Sequence, residues 1–177
     1  MRTVFTIVIG GLVATGVARY TAALVAQQVN SRGQVVRAQD GERIFGTSLI
    51  KVSPQSGVPN LAMALMRTPP NGRSGVHAHD KADQLVLIVR GSGYVRPGDD
   101  RTEIGVGDTI YVPRGVWHEF AAGAAGMEAQ EIFVPAGVEQ EFREVDRVSA
   151  GGKKPISLDE MNRIASKYGS RYKDPGQ

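Results

Sequence analysis

The sequence predicts an all-β domain, a small antiparallel β-barrel or jelly roll closed by one C-terminal helix. Three observations predict it. From Asn60 to Val134 the apolar residues come in runs of four to eight, each ended by glycine, proline or aspartate, as short strands do. No helical stretch of about ten residues separates these runs, so the crossovers that a parallel sheet needs are missing. Helix signals are read at one place only, after Ile156.

Taken in order, residues 1–26 form a segment of their own. Met1, Arg2 and Thr3 are a short basic start, and Val4 to Ala18 is uncharged over fifteen residues before Arg19. This is the layout of a secretory signal peptide, which would place the mature protein in the periplasm or outside the cell. Small residues set candidate cleavage points after Ala18, Ala23 and Ala26. The run is shorter than the ~20 residues of a membrane helix and contains Gly10, Gly11 and Gly16. An uncleaved anchor, tethering the chain to a membrane, and a plain N-terminal helix are the alternatives.

Residues 27–58 read as a linker with edge strands at 35–38 and 44–52. The barrel is expected over 59–145. Its strands are 61–67, a stretch around 75–79, 83–90, 93–96, 102–106, 108–112, 116–120 and 127–134. Turn chemistry separates them at Pro69-Pro70-Asn71-Gly72, Gly91-Ser92-Gly93, Pro97-Gly98, Gly105-Val106-Gly107 and Pro113-Arg114-Gly115. Residues 146–177 complete the chain as a loop and a helix. Ser157 is its N-cap with Glu160 three residues on, and Leu158, Met161, Ile164, Ala165 and Tyr168 share one face before Gly169 ends it. The helix is expected on the barrel exterior. Val112–Phe120 and Val134–Phe142 agree at six of nine positions, which reads as one strand–turn device used twice.

The chain has 177 residues, the size of one domain, and no cysteine. Disulfides, thiolate zinc sites and cysteine nucleophiles are excluded. Its formal charge of +3 shrinks to +1 without residues 1–26, because Arg2 and Arg19 are lost and no acid goes with them. With no basic helix and no aromatic interleaving, nucleic acid is not an expected partner.

Imidazole chemistry must use His77, His79 or His118, the chain's three histidines. His77 and His79 leave one face of an extended strand with Cα atoms about 6.5 Å apart, so both rings can reach one metal ion. His118 follows the Pro113–Gly115 bend, where barrel closure can bring it opposite the pair.

Gly75-Val76-His77-Ala78-His79, then Gln84 and Gly91, resembles the first cupin motif. Gly107, Pro113-Arg114-Gly115 and His118 resemble the second, and the fifteen residues between Gly91 and Gly107 match the short spacer of microbial cupins. Residues 135–144 and the helix ending at Gly169 are similar to the tail of flavonol-dioxygenase-like small cupins. The resemblance implies the cupin fold, a divalent transition metal and a small-molecule ligand or substrate, with a homodimer as the expected assembly.

In that family the fourth ligand is usually a glutamate where this chain has Gln84. Asp83 would break the motif spacing and face the other side of the strand. The expected ligands are therefore His77, His79, Gln84 and His118, a neutral set that suits iron, manganese, nickel, copper or zinc. Arg90 shares the face of Gln84 by period two and is a candidate contact for an anionic substrate at the barrel mouth. Tyr111 is a second candidate substrate contact, although with Trp117 and Phe120 it also reads as core or wall. Asp80 and Glu119 read as surface acids. An exported metal-dependent oxidoreductase of the dioxygenase-like kind is the leading reading. A non-catalytic binding cupin and a metal-dependent isomerase or lyase are the alternatives.

Overall fold

A computed structural model describes residues 32–98 and 100–174. The signal-like segment 1–26 and its cleavage points lie outside the described residues. The strands are β1 (Glu42–Ile44), β2 (Ser48–Val52), β3 (Ala62–Thr68), β4 (Val76–His79), β5 (Asp83–Pro97), β6 (Thr102–Gly105), β7 (Thr109–Val112), β8 (His118–Val134) and β9 (Ser170–Lys173), with helices α1 (Val138–Val148) and α2 (Leu158–Tyr168). Every strand pairing is antiparallel.

Two long strands organise the barrel. β5 and β8 pair from Asp83 opposite Val134 to Pro97 opposite His118, with register shifts between Ile88 and Arg90 and between Gly91 and Gly93. The first half of β5 also carries β7, and the second half carries β6. The second half of β8 carries β3, then β2 and β1, and its start carries β4, then β9.

The sequence splits β5 and β8 into two strands each, at glycines that look like turns. The chain instead runs through both breaks as bent strand. At Gly91 a Cβ would overlap the carbonyl oxygen of Gly126, and at Gly93 that of Ala121. Glycine is needed there because the two strands cross too closely for any side chain.

Inward residues of β5 alternate as read: Gln84, Val86 and Ile88 are buried. They join Val95, Ile104, Val112, Phe120, Met127 and Ala129 in the principal core cluster, except for Gln84, which stands at its polar end. Residues 35–38 form no strand, and 44–52 is interrupted by Phe45 and Gly46 at positive φ, 48° and 72°.

The C-terminal helix is α2, with Ser157 accepting the Glu160 N–H at 3.2 Å and Gly169 left-handed after its end. Helix α1 and strand β9 are additions. The echo at 134–142 hid α1: both copies begin Val-Pro-x-Gly-Val, but the first continues as strand and the second as helix. Val138, Phe142 and Val145 have the helical spacing that identifies it. The boundary read at 145/146 therefore falls inside α1. Nor do the helices simply cover the exterior, since Glu141, Phe142, Val145 and Met161 line an interior cavity.

Gly93→Ala should lower stability by more than ~2 kcal/mol, the range of a backbone clash in a core. Gly98→Ala, at φ 66° in open space, should cost only ~1 kcal/mol for its left-handed backbone. Urea unfolding of the two variants measures the difference.

Candidate metal centre

β4 delivers two imidazoles to one place because its residues alternate, and strand pairing supplies the third. His77 lies directly opposite His118 on β8. The ring centroids of His77 are 4.9 Å from His79 and 4.2 Å from His118, with 5.5 Å between His79 and His118. One ring nitrogen from each lies within 4.8 Å of the others, and all three residues are buried.

The proton on two of the rings is settled by their neighbours. His77 Nδ1–H donates to the Gly75 carbonyl at 3.0 Å, and His118 Nδ1–H donates to the Val116 carbonyl at 2.9 Å. A carbonyl only accepts, so each Nδ1 carries the proton and each Nε2 keeps a bare lone pair. His79 Nδ1 lies 2.9 Å from Ser170 Oγ. Burial pushes the His77 imidazole well below its usual range, helped by His118 and His79. Burial, then the charge of His118, lowers His79 to about 3, and burial lowers His118 against the pull of the Val116 carbonyl. The cluster is neutral.

His79 Nε2, His118 Nε2 and Gln84 Oε1 are buried without a hydrogen-bond partner. Leaving such an atom unmet costs ~1–3 kcal/mol, and His118 Nε2 and Gln84 Oε1 are both acceptors. A cation answers that pattern, and imidazole nitrogens with one amide oxygen fit a divalent transition ion.

Gln84 is held by its other end: Nε2 donates to Glu131 Oε2 at 3.3 Å. Burial raises the Glu131 carboxyl to about 7, with the Gln84 hydrogen bond pulling the other way. Glu131 stands opposite Val86 on β5 and Ala64 on β3. Sequence reasoning missed it, although period two places Met127, Ala129, Glu131 and Phe133 on one face with Glu131 the single acid. His77, His79, Gln84, Glu131 and Glu141 line one side of a cavity of about 310 Å³ whose other walls include Phe45, Met66, Met127 and Phe142.

Arg90 and Tyr111 do not reach this cavity. The register shift before Arg90 turns its side chain outward, where it is exposed and meets Glu128 at 3.3 Å. Tyr111 alternates with buried Val112 and is 61% exposed. The arginines at the cavity wall are Arg67 and Arg73. Glu119, read as a surface acid, is buried, 3.6 Å from Arg73. Asp80 does lie at the surface, paired with Arg171 at 2.9 Å. Asp83 turns away from Gln84 as expected and binds Arg114 at 2.7 Å, which lowers its carboxyl.

An antiparallel barrel whose own strands gather three neutral imidazoles beside a cavity defines a small β-barrel protein suited to binding a metal. Residues 64–135 match the model described as Cupin domain, and the barrel is similar to cupins of the small, single-barrel kind. A predicted oxalate decarboxylase from Thermotoga maritima superposes with a TM-score of 0.52 at 21% identity, over 58% of this chain and 100% of that one. A polyketide cyclase from Streptomyces resistomycificus gives 0.52 at 20% identity, over 59% of this chain and 80% of that one. At these identities the likeness is one of fold. Comparison with curated proteins finds no match.

The shifted groups predict opposing pH slopes in metal-free protein. Unfolded imidazoles protonate as pH falls through about 6.5, whereas the folded cluster resists. Its contribution to stability is full above 6.5 and is lost as pH falls from there toward about 3. Glu131 acts in the other sense. Its folded value is raised from 4.5 to about 7, so its contribution is present below 4.5 and lost as pH rises through 7. Urea unfolding with chelator present should show Glu131→Gln reducing the second slope, to which the raised Glu141 carboxyl also contributes, while keeping the first.

Proposed function

We propose that the protein is a metal-dependent enzyme acting on a small organic molecule, and specifically an oxidoreductase of the dioxygenase-like kind. The observation that carries this reading is the meeting, beside one cavity, of three imidazoles, two of them with carbonyl neighbours that fix a bare Nε2, and a carboxylate, Glu131, able to hold or release a proton near neutral pH. His77, His79 and His118 would hold the ion, with Gln84 Oε1 as a fourth donor. A bound divalent transition ion supplies Lewis acidity and, if redox-active, electrons for dioxygen chemistry.

In the dioxygenases that the sequence resembles, a ligand glutamate is implicated as the base toward the substrate hydroxyl. Gln84 cannot take a proton, but Glu131, bonded to its amide, can. A carboxyl near 7 both accepts and returns a proton efficiently at neutral pH. Gln84 keeps the Glu131 carboxylate oriented into the site, and Met66, Met127, Phe45 and Phe142 offer an apolar wall to the substrate's carbon frame. The signal-like N-terminal segment supports a periplasmic or secreted location. An isomerase or lyase that moves a proton without consuming dioxygen is the second reading. The titration range of Glu131 favours it too, since such a reaction needs a base that gives its proton back.

Refolding the protein with excess metal should leave close to one bound ion per chain, and fewer than about a tenth of an equivalent overturns the metal reading. Dioxygen uptake by loaded protein is then followed with quercetin and with 2-hydroxyketones as probes. Glu131→Gln is expected to lower kcat by about 10²–10⁴-fold at unchanged metal content. Turnover without dioxygen uptake would select the second reading, and saturable binding without turnover a non-catalytic binder.

A further inference from the structure

Glu141 is the second acid on the cavity wall, and no step above uses it. It stands three residues after Val138 and four before Val145, so it lies on the apolar face of α1, and its side chain is completely buried. The other glutamates of that helix meet bases, Glu139 with Arg143 and Glu144 with Arg147 and Lys167. Glu141 meets none among the described residues. Its Oε1 accepts the Tyr172 hydroxyl at 2.8 Å, whereas Oε2 is buried and has no hydrogen-bond partner there.

Tyr172 joins this acid to the histidines. It lies opposite His77 in the pairing of β9 with β4, and its ring stacks on the His77 imidazole at 5.2 Å and 16°. Glu141 is therefore one tyrosine side chain away from the cluster. Around it Phe142 and Val145 of α1 and Met161 of α2 line the same cavity. The two arginines of the wall are paired with Glu128 and Glu119, so neither is free to answer Glu141.

A carboxylate among apolar side chains is costly to bury unless a partner brings charge and hydrogen bonds together. An ammonium does both, with three N–H donors and the opposite charge, and its bond to a carboxylate is of the strong, charge-assisted kind. A ligand carboxylate or phosphate would instead face like charge at this wall. We propose that Glu141 is the recognition group of an ammonium subsite, and that the ligand of the cavity is a small primary amine carried on an apolar frame. Equating that ligand with the substrate rests on the enzyme reading above, while the subsite itself needs no metal.

The test uses the full chain, freed of metal and chelator and titrated calorimetrically near neutral pH with benzylamine, benzyl alcohol and benzoate, which share one ring and differ in charge. Benzylamine should bind at least about 10-fold tighter than benzyl alcohol, and benzoate more weakly than either. Glu141→Gln should weaken benzylamine about 10–100-fold and leave benzyl alcohol within about 3-fold. Tyr172→Phe, which keeps the carboxylate and removes the donor on Oε1, should bind benzylamine at least as tightly as the unaltered protein. In labelled protein the amide shifts caused by benzylamine should centre on Glu141, Phe142 and Tyr172, and circular dichroism checks that the variants keep the barrel. Should Glu141→Gln fail to fold, the ranking of the three ligands and the shift map decide. Absent benzylamine binding, equal affinity for amine and alcohol, or affinity undiminished in Glu141→Gln overturns the proposal. Amine selectivity in protein that takes up no metal keeps the subsite and overturns the metal reading, and metal uptake without amine selectivity does the reverse.

Discussion

Three imidazoles can be buried side by side only if none carries a charge and each ring proton has somewhere to go. Desolvation is the first cause of the lowered basicity at all three positions. The barrel meets the second requirement from backbone already present in its strand ends: the Gly75 carbonyl before β4 receives the proton of His77, and the Val116 carbonyl before β8 receives that of His118. Each acceptor is two residues upstream of its histidine, so one local geometry is used twice. His79 is the last residue of β4, and its Nδ1 meets no such carbonyl. Its partner must come from the facing strand, which gives β9 a place in the site and a reason for the chain to return after α2.

The same constraint explains what replaces the family's usual glutamate. A ligand carboxylate would neutralise part of a cation's charge and would double as a base. On the proposed reading the two tasks would be divided between Gln84 and Glu131, residues 47 apart. Gln84 presents an unpartnered amide oxygen on one side and an amide donor on the other, and the donor end holds Glu131. The carboxylate therefore remains in the cavity wall, one hydrogen bond removed from the ligand position. A neutral ligand set neutralises none of a divalent ion's charge, and a base outside that set keeps its full freedom to exchange a proton.

What the sequence made legible follows from the range of the interaction involved. His77 and His79 are related by period two, and His118 and Gln84 by motif spacing, so all four are local readings, and the barrel class follows from strand runs of the same local kind. Glu131 acquires its role from strand pairing across β5 and β8, and Ser170 and Tyr172 from pairing with β4, none of which a window of neighbouring residues contains. Arg90 shows where even a local rule fails: period two holds only until a register shift, and one extra residue moves the side chain from cavity to solvent. Tyr111 was recoverable, because buried Val112 beside it fixes the alternation of β7.

Charge balance inside the cavity gives these pieces a common direction. Glu131 and Glu141 both line it, and burial raises both carboxyls. The two arginines at the wall are committed elsewhere, Arg67 to Glu128 and Arg73 to Glu119 and the Tyr94 hydroxyl. The histidines, being neutral, supply no positive charge. When these carboxyls ionise, the cavity therefore has negative charge without an enclosed counter-charge, beside two acceptors, His118 Nε2 and Gln84 Oε1, that lack donors. Neutral imidazoles and raised carboxyls have one origin, which is the burial of these side chains by the fold. A chain that exposed this end would lose both properties together, and that is the physical reason the two helices and β9 close over it.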